Sequence, residues 1–447
     1  MTAIVTSEER SWAVVGGGLL GGTLALRLSE QGHRVTLYER APALGGLASS
    51  FQIGDITWDR FYHVTLLSDS VLRSFLDQLG LEGEMRWVAT ETALYDGGRL
   101  YPVSNAADYL RLPALSAVAK ARIGMTVLRA SRVKDWRPLE NVTAEDWLVR
   151  WSGRPAYETF WRPLLRAKLG DRHGEASAAF IWAIIHRLYA ARRAGMKQDL
   201  FGYVPGGYAR VLDRLRLALG HQGVDVRTSS YIRSVTESSG RVSIETAGSV
   251  ETHDAAVVTT PSPIATRLIP QMAAEEREAH ASIMYQGVVC VSLLLDRPLG
   301  GYYVTNITDS DIPFTGVIEM SALVDPAEFG GRTLVYLPKY VAPNDDVFNS
   351  ADVDITETFV GALTRMYPDF DESHIVAAEV SMARHVLPVS RIGYSTRLPA
   401  IVSSVAGVHV VNTAHIVNGT LNVNETLQLV DRVLPDLLRA PVPERTT

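Results

Sequence analysis

Two glycine clusters and a few scattered polar residues carry the types and spacing that chemistry requires. Val14-Val15-Gly16-Gly17-Gly18-Leu19-Leu20-Gly21 is a G-x-G-x-x-G turn between an apolar run and a helical pattern. Such a turn seats a dinucleotide pyrophosphate. Gly16 permits the tight bend, Gly18 admits backbone close to phosphate, and Gly21 lets the helix lie on the strand. Free amides and the dipole at that helix N-terminus favour negative charge. Glu39 stands 23 positions beyond Gly16, where a carboxylate accepts hydrogen bonds from ribose hydroxyls. The second cluster, Gly45-Gly46, follows in Arg40-Ala41-Pro42-Ala43-Leu44-Gly45-Gly46; an ordinary surface turn is its bland alternative. Among the scattered residues, His63 is a candidate for contact with substrate or cofactor, or else a hydrogen-bonded core histidine. Cys290 reads as a buried packing residue. Arg391 and Tyr394 are catalytic candidates whose simpler role is surface or packing.

The stretch around Glu39, Arg40, Gly45 and Gly46 resembles the second signature of the flavin amine oxidase, protoporphyrinogen oxidase and phytoene desaturase-like superfamily of FAD-dependent oxidoreductases. In that family it runs beside the pyrophosphate and ribityl chain of FAD. The likeness continues in Tyr203-Val204-Pro205-Gly206-Gly207-Tyr208, similar to the family's P-G-G element. It extends to the strand order around Val224–Val226, Tyr231–Val235 and Ala256–Thr259. It implies that Ile232 lies against adenine. It also places Thr413, Asn422, Val423 and Asn424 beside the flavin, although Asn412-Thr413 replaces the family's Gly-Asp pair. Asn422 and Asn424 are in addition good helix caps. The C-terminal segment contains no cysteine, so FAD is expected to be bound non-covalently. Cys290 occupies the place of the amine oxidase lysine, which leans away from true amine oxidation. His63 and Leu100-Tyr101-Pro102 are similar to UDP-galactopyranose mutases. The resemblance therefore implies an FAD-dependent oxidoreductase acting on an organic small molecule, lipid-like or from secondary metabolism. A non-redox flavin mutase or double-bond isomerase is the alternative.

The elements that must position these residues follow from periodicity. A strand at 11–15, a helix at 19–31 and a strand at 33–40 form a β-turn-α-β unit. Helices are expected at 70–79, 117–133, 144–151 and 176–194, and short strands from 224 onward. The fold class is α/β, a Rossmann-like FAD-binding domain interleaved with an α+β substrate domain. The FAD-binding segments are 1–66, 201–275 and 396–440. The substrate-domain segments are 67–200, helical, and 276–395, strand-rich, with a tail at 441–447.

Bulk properties narrow the rest. The chain has 447 residues and a net charge of -6, so nothing global favours nucleic acid. One cysteine excludes an internal disulfide framework and a cysteine-cluster metal site. No metal site is expected. The first ten residues carry Glu8 and Glu9 and lack the apolar core of a signal peptide, so a cytoplasmic protein is the expectation. From Tyr109 to Asp135, six basic residues stand against one acid, a local charge of +5. Interleaved with Leu112, Val118, Met125 and Leu128, they make a basic amphipathic helix. Its bland reading is a solvated face, and its sharper one is weak association with a membrane surface or an anionic substrate.

Overall fold

The computed structural model describes residues 9–113, 115–192, 200–417 and 419–441. The expectations for the first eight residues, for the end of the helix at 193–194 and for the tail from 442 on lie outside them.

The strand Ser11–Val15 reads Ser-Trp-Ala-Val-Val, and the last four of these side chains are buried. Ala255–Val258 is buried throughout. Runs that are apolar on both faces suit a parallel sheet covered on both sides. The two strands pair in parallel, and Arg34–Tyr38, Asp225–Arg227 and Val408–Val410 complete a five-stranded parallel sheet. Its order runs from Asp225–Arg227 through Arg34–Tyr38, Ser11–Val15 and Ala255–Val258 to Val408–Val410. Three separated stretches of chain thus build one Rossmann-like layer. The helix Leu19–Glu30 buries Leu20, Leu24 and Leu28 against it. It shares a core with Leu215 of helix Gly207–His221 and with Leu427 and Val430 of helix Val423–Arg439.

The other half centres on a seven-stranded mixed sheet. Its strand Tyr285–Leu295 has all eleven residues buried and pairs antiparallel with Thr333–Val341 and Ile375–Pro388. Helix Asp352–Met366 packs on this sheet through Ile355, Phe359 and Leu363. Helices Ala117–Arg132, Ala144–Ser152, Arg162–Leu169 and Ala178–Arg192 form a separate helical core. The α/β class holds, and one expectation needs correction. The segment 67–200 is not simply helical, because Arg86–Ala89, Thr92–Asp96 and Arg99–Pro102 are strands. The strand-rich segment carries the fifteen-residue helix Asp352–Met366. Among the described residues, no helix is long and apolar enough to cross a membrane.

Candidate functional site

The glycine turn sits at the carboxyl ends of the parallel strands, where open α/β sheets bind their ligands. Gly16 has φ +114, and its amide donates to Tyr38 O at 2.9 Å. A Cβ there would lie 2.5 Å from Thr259 Oγ1, and one on Gly21 would lie 1.9 Å from Gly16 O. Both glycines are required by the chain itself. Gly18 is different. Its φ of -69 suits any residue, and a Cβ would meet nothing nearer than 3.9 Å. No internal contact demands glycine there, so the free space is the kind a close-lying phosphate needs. Gly18 is also the N-cap of helix Leu19–Glu30 and brings no side chain to its amides.

The second glycine pair closes over the first. Gly45 N donates to Gly17 O at 2.8 Å, and Gly18 and Gly45 form a parallel bridge. A Cβ on Gly46 would come within 3.1 Å of Gly18 Cα. Glu39 turns its carboxylate inward, accepting from Gly17 N at 2.6 Å and from Ala41 N at 2.7 Å. An ionised carboxylate has about four lone-pair sites, so two remain for ribose hydroxyls. Ser230 N donates to Glu39 O and Ser229 N to Ala41 O, each at 2.8 Å. These bonds lay residues 229–232 alongside Glu39, with Ile232 buried in a cluster with Tyr38 and Val15. Arg40 is exposed.

At the other end of the cradle, Thr260 Oγ1 is buried without a partner. Asn412 donates to Thr260 O and to Ser262 Oγ, each at 3.1 Å. Its Oδ1 accepts from Ala414 N, capping the turn that contains half-buried Thr413. Asn422 caps helix Val423–Arg439 by accepting from Glu425 N at 3.0 Å; Val423, the first helical residue, is buried. Asn424 is placed otherwise. Its side chain is 4% exposed, and its Oδ1 accepts from Leu72 N at 3.1 Å, serving as a cap for helix Ser70–Gln78. Asn424 therefore joins two helices instead of facing the cradle.

His63 lines a small enclosed space with Asp59, Trp58, Thr65, Tyr203 and Tyr208. Its Nδ1 lies 3.8 Å from Asp59 Oδ2 and has no hydrogen-bond partner. Burial pushes the Asp59 carboxyl up to about 7, although the hydrogen bond from Tyr208 N pulls the other way. Burial pushes His63 down to about 4, which keeps its imidazole neutral at neutral pH. A neutral imidazole beside a buried carboxyl is able to take or relay a proton.

Arg391 and Tyr394 are not brought to this pair. Arg391 Nε pairs with Glu175 at 3.0 Å on a side chain 41% exposed. Tyr394 is buried, and its hydroxyl donates to Ala414 O at 2.8 Å. The first is a surface ion pair and the second a packing strut, which corrects the catalytic expectation for both. Cys290 is fully buried, and burial pushes its thiol up to about 12, as suits an inert core residue. The residues that sequence reasoning missed are Asp59 and Tyr208. Their burial depends on distant elements, and no local pattern signals it.

Comparison with known proteins gives this arrangement its context. A family model for flavin-containing amine oxidoreductases matches residues 23–399. The chain belongs to that family. Membership implies a flavin cofactor, and the open cradle at Gly18 fits one. The chain is similar to carotenoid phi-ring synthase of Streptomyces griseus, 28% identical over 291 residues, covering 59% of this chain and 54% of that protein. It is 27% identical over 205 residues to a zeta-carotene desaturase of Zea mays, covering 40% and 35%. The chain thus matches about half or less of the length of these relatives. Among solved structures, an oxidoreductase from Methanosarcina mazei superposes with a TM-score of 0.75 at 18% identity, covering 95% of this chain and all of that one. That likeness concerns the fold.

Proposed function

We propose that this protein binds FAD non-covalently and uses it to oxidise an apolar organic molecule at a C–C, C–O or C–N bond. The observation that carries the cofactor assignment is the pair of contrasting glycines. Gly21 is explained by the fold, whereas Gly18 is explained only by a ligand. Glu39, held by two amides with acceptor capacity to spare, suits the adenosine ribose of FAD; FMN has no such ribose. Gly16 to Gly21 would hold the pyrophosphate, Gly45 and Gly46 would flank it, and Ile232 would pack against adenine. Asn412, Thr413 and the N-terminus of helix Val423–Arg439 would face the flavin end.

Bound FAD supplies a two-electron acceptor for a hydride. The chain supplies the rest: it excludes water, orients the substrate and holds a proton site. His63, neutral and with Nδ1 turned towards Asp59, would relay the proton lost from the substrate to the Asp59 carboxyl, which at about 7 is the group able to hold it. The kinship with carotenoid enzymes supports an apolar substrate body.

Denaturing the yellow protein should release FAD and leave a colourless precipitate. Anaerobic mixing with substrate should bleach the oxidised flavin, and an acceptor should restore it. Release of FMN, or colour retained in the precipitate, would contradict the cofactor assignment. Turnover seen only after prior chemical reduction, without net electron consumption, would replace oxidation by a mutase-type reaction.

A further inference from the structure

We infer that Lys168, Tyr62 and Tyr340 form a seat for an oxyanion on the substrate, an inference that rests on the flavoenzyme reading above. The three come from distant parts of the chain. Lys168 lies near the end of helix Arg162–Leu169, Tyr62 follows strand Ile56–Asp59, and Tyr340 lies near the end of strand Thr333–Val341. Lys168 Nζ stands 3.3 Å from the Tyr62 hydroxyl and 3.1 Å from that of Tyr340, and the two hydroxyls are 3.1 Å apart. The ammonium also lies 4.5 Å from the Tyr340 ring centroid.

Hydrogen-bond capacity shows what this triangle lacks. Lysine has three N–H donors and each tyrosine one O–H. Two lysine donors go to the hydroxyl oxygens, and one hydroxyl proton is spent between the tyrosines. One N–H and one O–H are left over. Burial raises the pKa of the Tyr62 hydroxyl, so it stays a neutral donor.

No acid answers the charge. Among the described residues, Lys168 makes no ion pair, whereas Arg187, likewise partly enclosed, is gripped by Asp69 through two bonds. An enclosed cation without a counter-charge is unfavourable unless a ligand brings one. All three residues remain partly open to solvent, so a ligand group has access to them.

The triad is also tied to the proposed proton site. Tyr62 is the neighbour of His63. Tyr336 stands four residues before Tyr340, on the same face of the strand. Its hydroxyl donates to Asp59 O, and its ring centroid lies 6.4 Å from that of Tyr62. A substrate whose apolar body reaches His63 would thus have a carboxylate or phosphate held at Lys168. The shared chemistry is an oxygen pair bearing negative charge, accepting one N–H and one O–H.

The test uses flavin-loaded protein, with flavin absorbance as readout. It is titrated with matched pairs, benzoate against benzamide and decanoate against decanamide, and separately with inorganic phosphate and UDP. The parent should respond to an anion at a concentration about tenfold or more below that of the neutral partner, as charge-assisted bonds imply. Lys168→Met should remove that preference, Lys168→Arg should keep most of it, and Tyr340→Phe should weaken it severalfold. Preference for carboxylates or for phosphates decides which group the substrate carries. Equal response to anion and amide, no response to any anion, or a preference surviving in Lys168→Met overturns the inference. If Lys168→Met fails to fold, Tyr340→Phe and the parent's anion-to-amide ratio still decide it. A protein that carries no flavin sinks the preceding reading instead, and the same pairs are then compared by their shift of the melting temperature.

Discussion

At the edge of the five-stranded parallel sheet, the cradle is made mainly of backbone; where residues 59–63 meet strand Thr333–Val341 and helix Arg162–Leu169, the candidate chemistry is made of side chains. Gly16, Gly18, Gly45 and Gly46 meet through main-chain atoms, and even Glu39 is held by two amides. By contrast, one short stretch carrying Asp59, Tyr62 and His63 meets Lys168 and Tyr340, which come from elements far away in sequence. A backbone cradle is reused for any ligand bearing the same nucleotide, so it speaks to the cofactor. Side-chain constellations speak to the substrate.

The sharpest way to break this contrast lies within one motif. Gly21→Val should destabilise the protein by about 3 kcal/mol or more, because its Cβ has no room and overpacking against backbone cannot relax. Gly18→Val should melt close to the parent yet hold little or no flavin. Thermal melts paired with flavin content separate the two. If Gly18→Val keeps full flavin occupancy, the space at Gly18 is not the pyrophosphate seat.

A smaller loss is expected from Glu39. Glu39→Ala should weaken FAD binding by about 1.5–3 kcal/mol, the worth of hydrogen bonds to a charged group. Titrating apoprotein with FAD measures it. Unchanged affinity would mean that the ribose is held elsewhere.

The Asp59–His63 pair should show itself in the pH dependence of stability. Asp59 lies at about 7 in the fold against an ordinary 3.8. Its contribution is full below 3.8 and lost as pH rises through 7. His63 lies at about 4 against 6.5, so its contribution is present above 6.5 and lost as pH falls through 4. From pH 8 to 6.5 chiefly Asp59 acts, and the melting temperature should climb by about 1–2 °C on acidification. Below 6.5 the two slopes oppose each other. Asp59→Asn, which keeps an acceptor for Tyr208 N, should flatten the upper limb. A limb that persists in Asp59→Asn assigns it to another group.

These differences also explain what was legible in the sequence. The turn at Gly16–Gly21 was readable because a backbone bend that only glycine tolerates leaves its mark at fixed spacing, between a strand and a helix. Long periodic elements were readable too, such as helix Ala117–Arg132. Hairpin Thr92–Pro102 was missed although Gly97-Gly98, with φ of +57 and +75, is a two-residue turn signal. The helical setting on either side masked it. Asn424 misled for another reason: cap chemistry is visible locally, but which helix is capped depends on packing. Lys168 carried no signal, since a lysine on helix Arg162–Leu169 reads as solvated until Tyr62 and Tyr340 are brought over it.

The weakest expected effect lies on the outer surface of the helical region, far from backbone-made sites in kind. In helix Ala117–Arg132 the inner face is Ala119, Ile123, Thr126 and Ala130, all buried. The outer face carries Val118, Ala121, Met125 and Leu128 at spacings of three and four. Val118 is 69% and Met125 60% exposed. Arg129, Arg132 and Lys134 flank this stripe and are exposed, and Leu110 nearby is 63% exposed. An apolar stripe edged by cations matches an anionic lipid surface, where each basic residue adds about 1 kcal/mol and salt screens it. We expect weak sedimentation with phosphatidylserine-containing vesicles, less with neutral ones, and loss of the difference in high salt. Val118→Asp with Met125→Asp should abolish binding without altering flavin content, because neither side chain touches the core. Equal sedimentation with both kinds of vesicle would leave the stripe as a solvated face, and the substrate would then have to arrive through water.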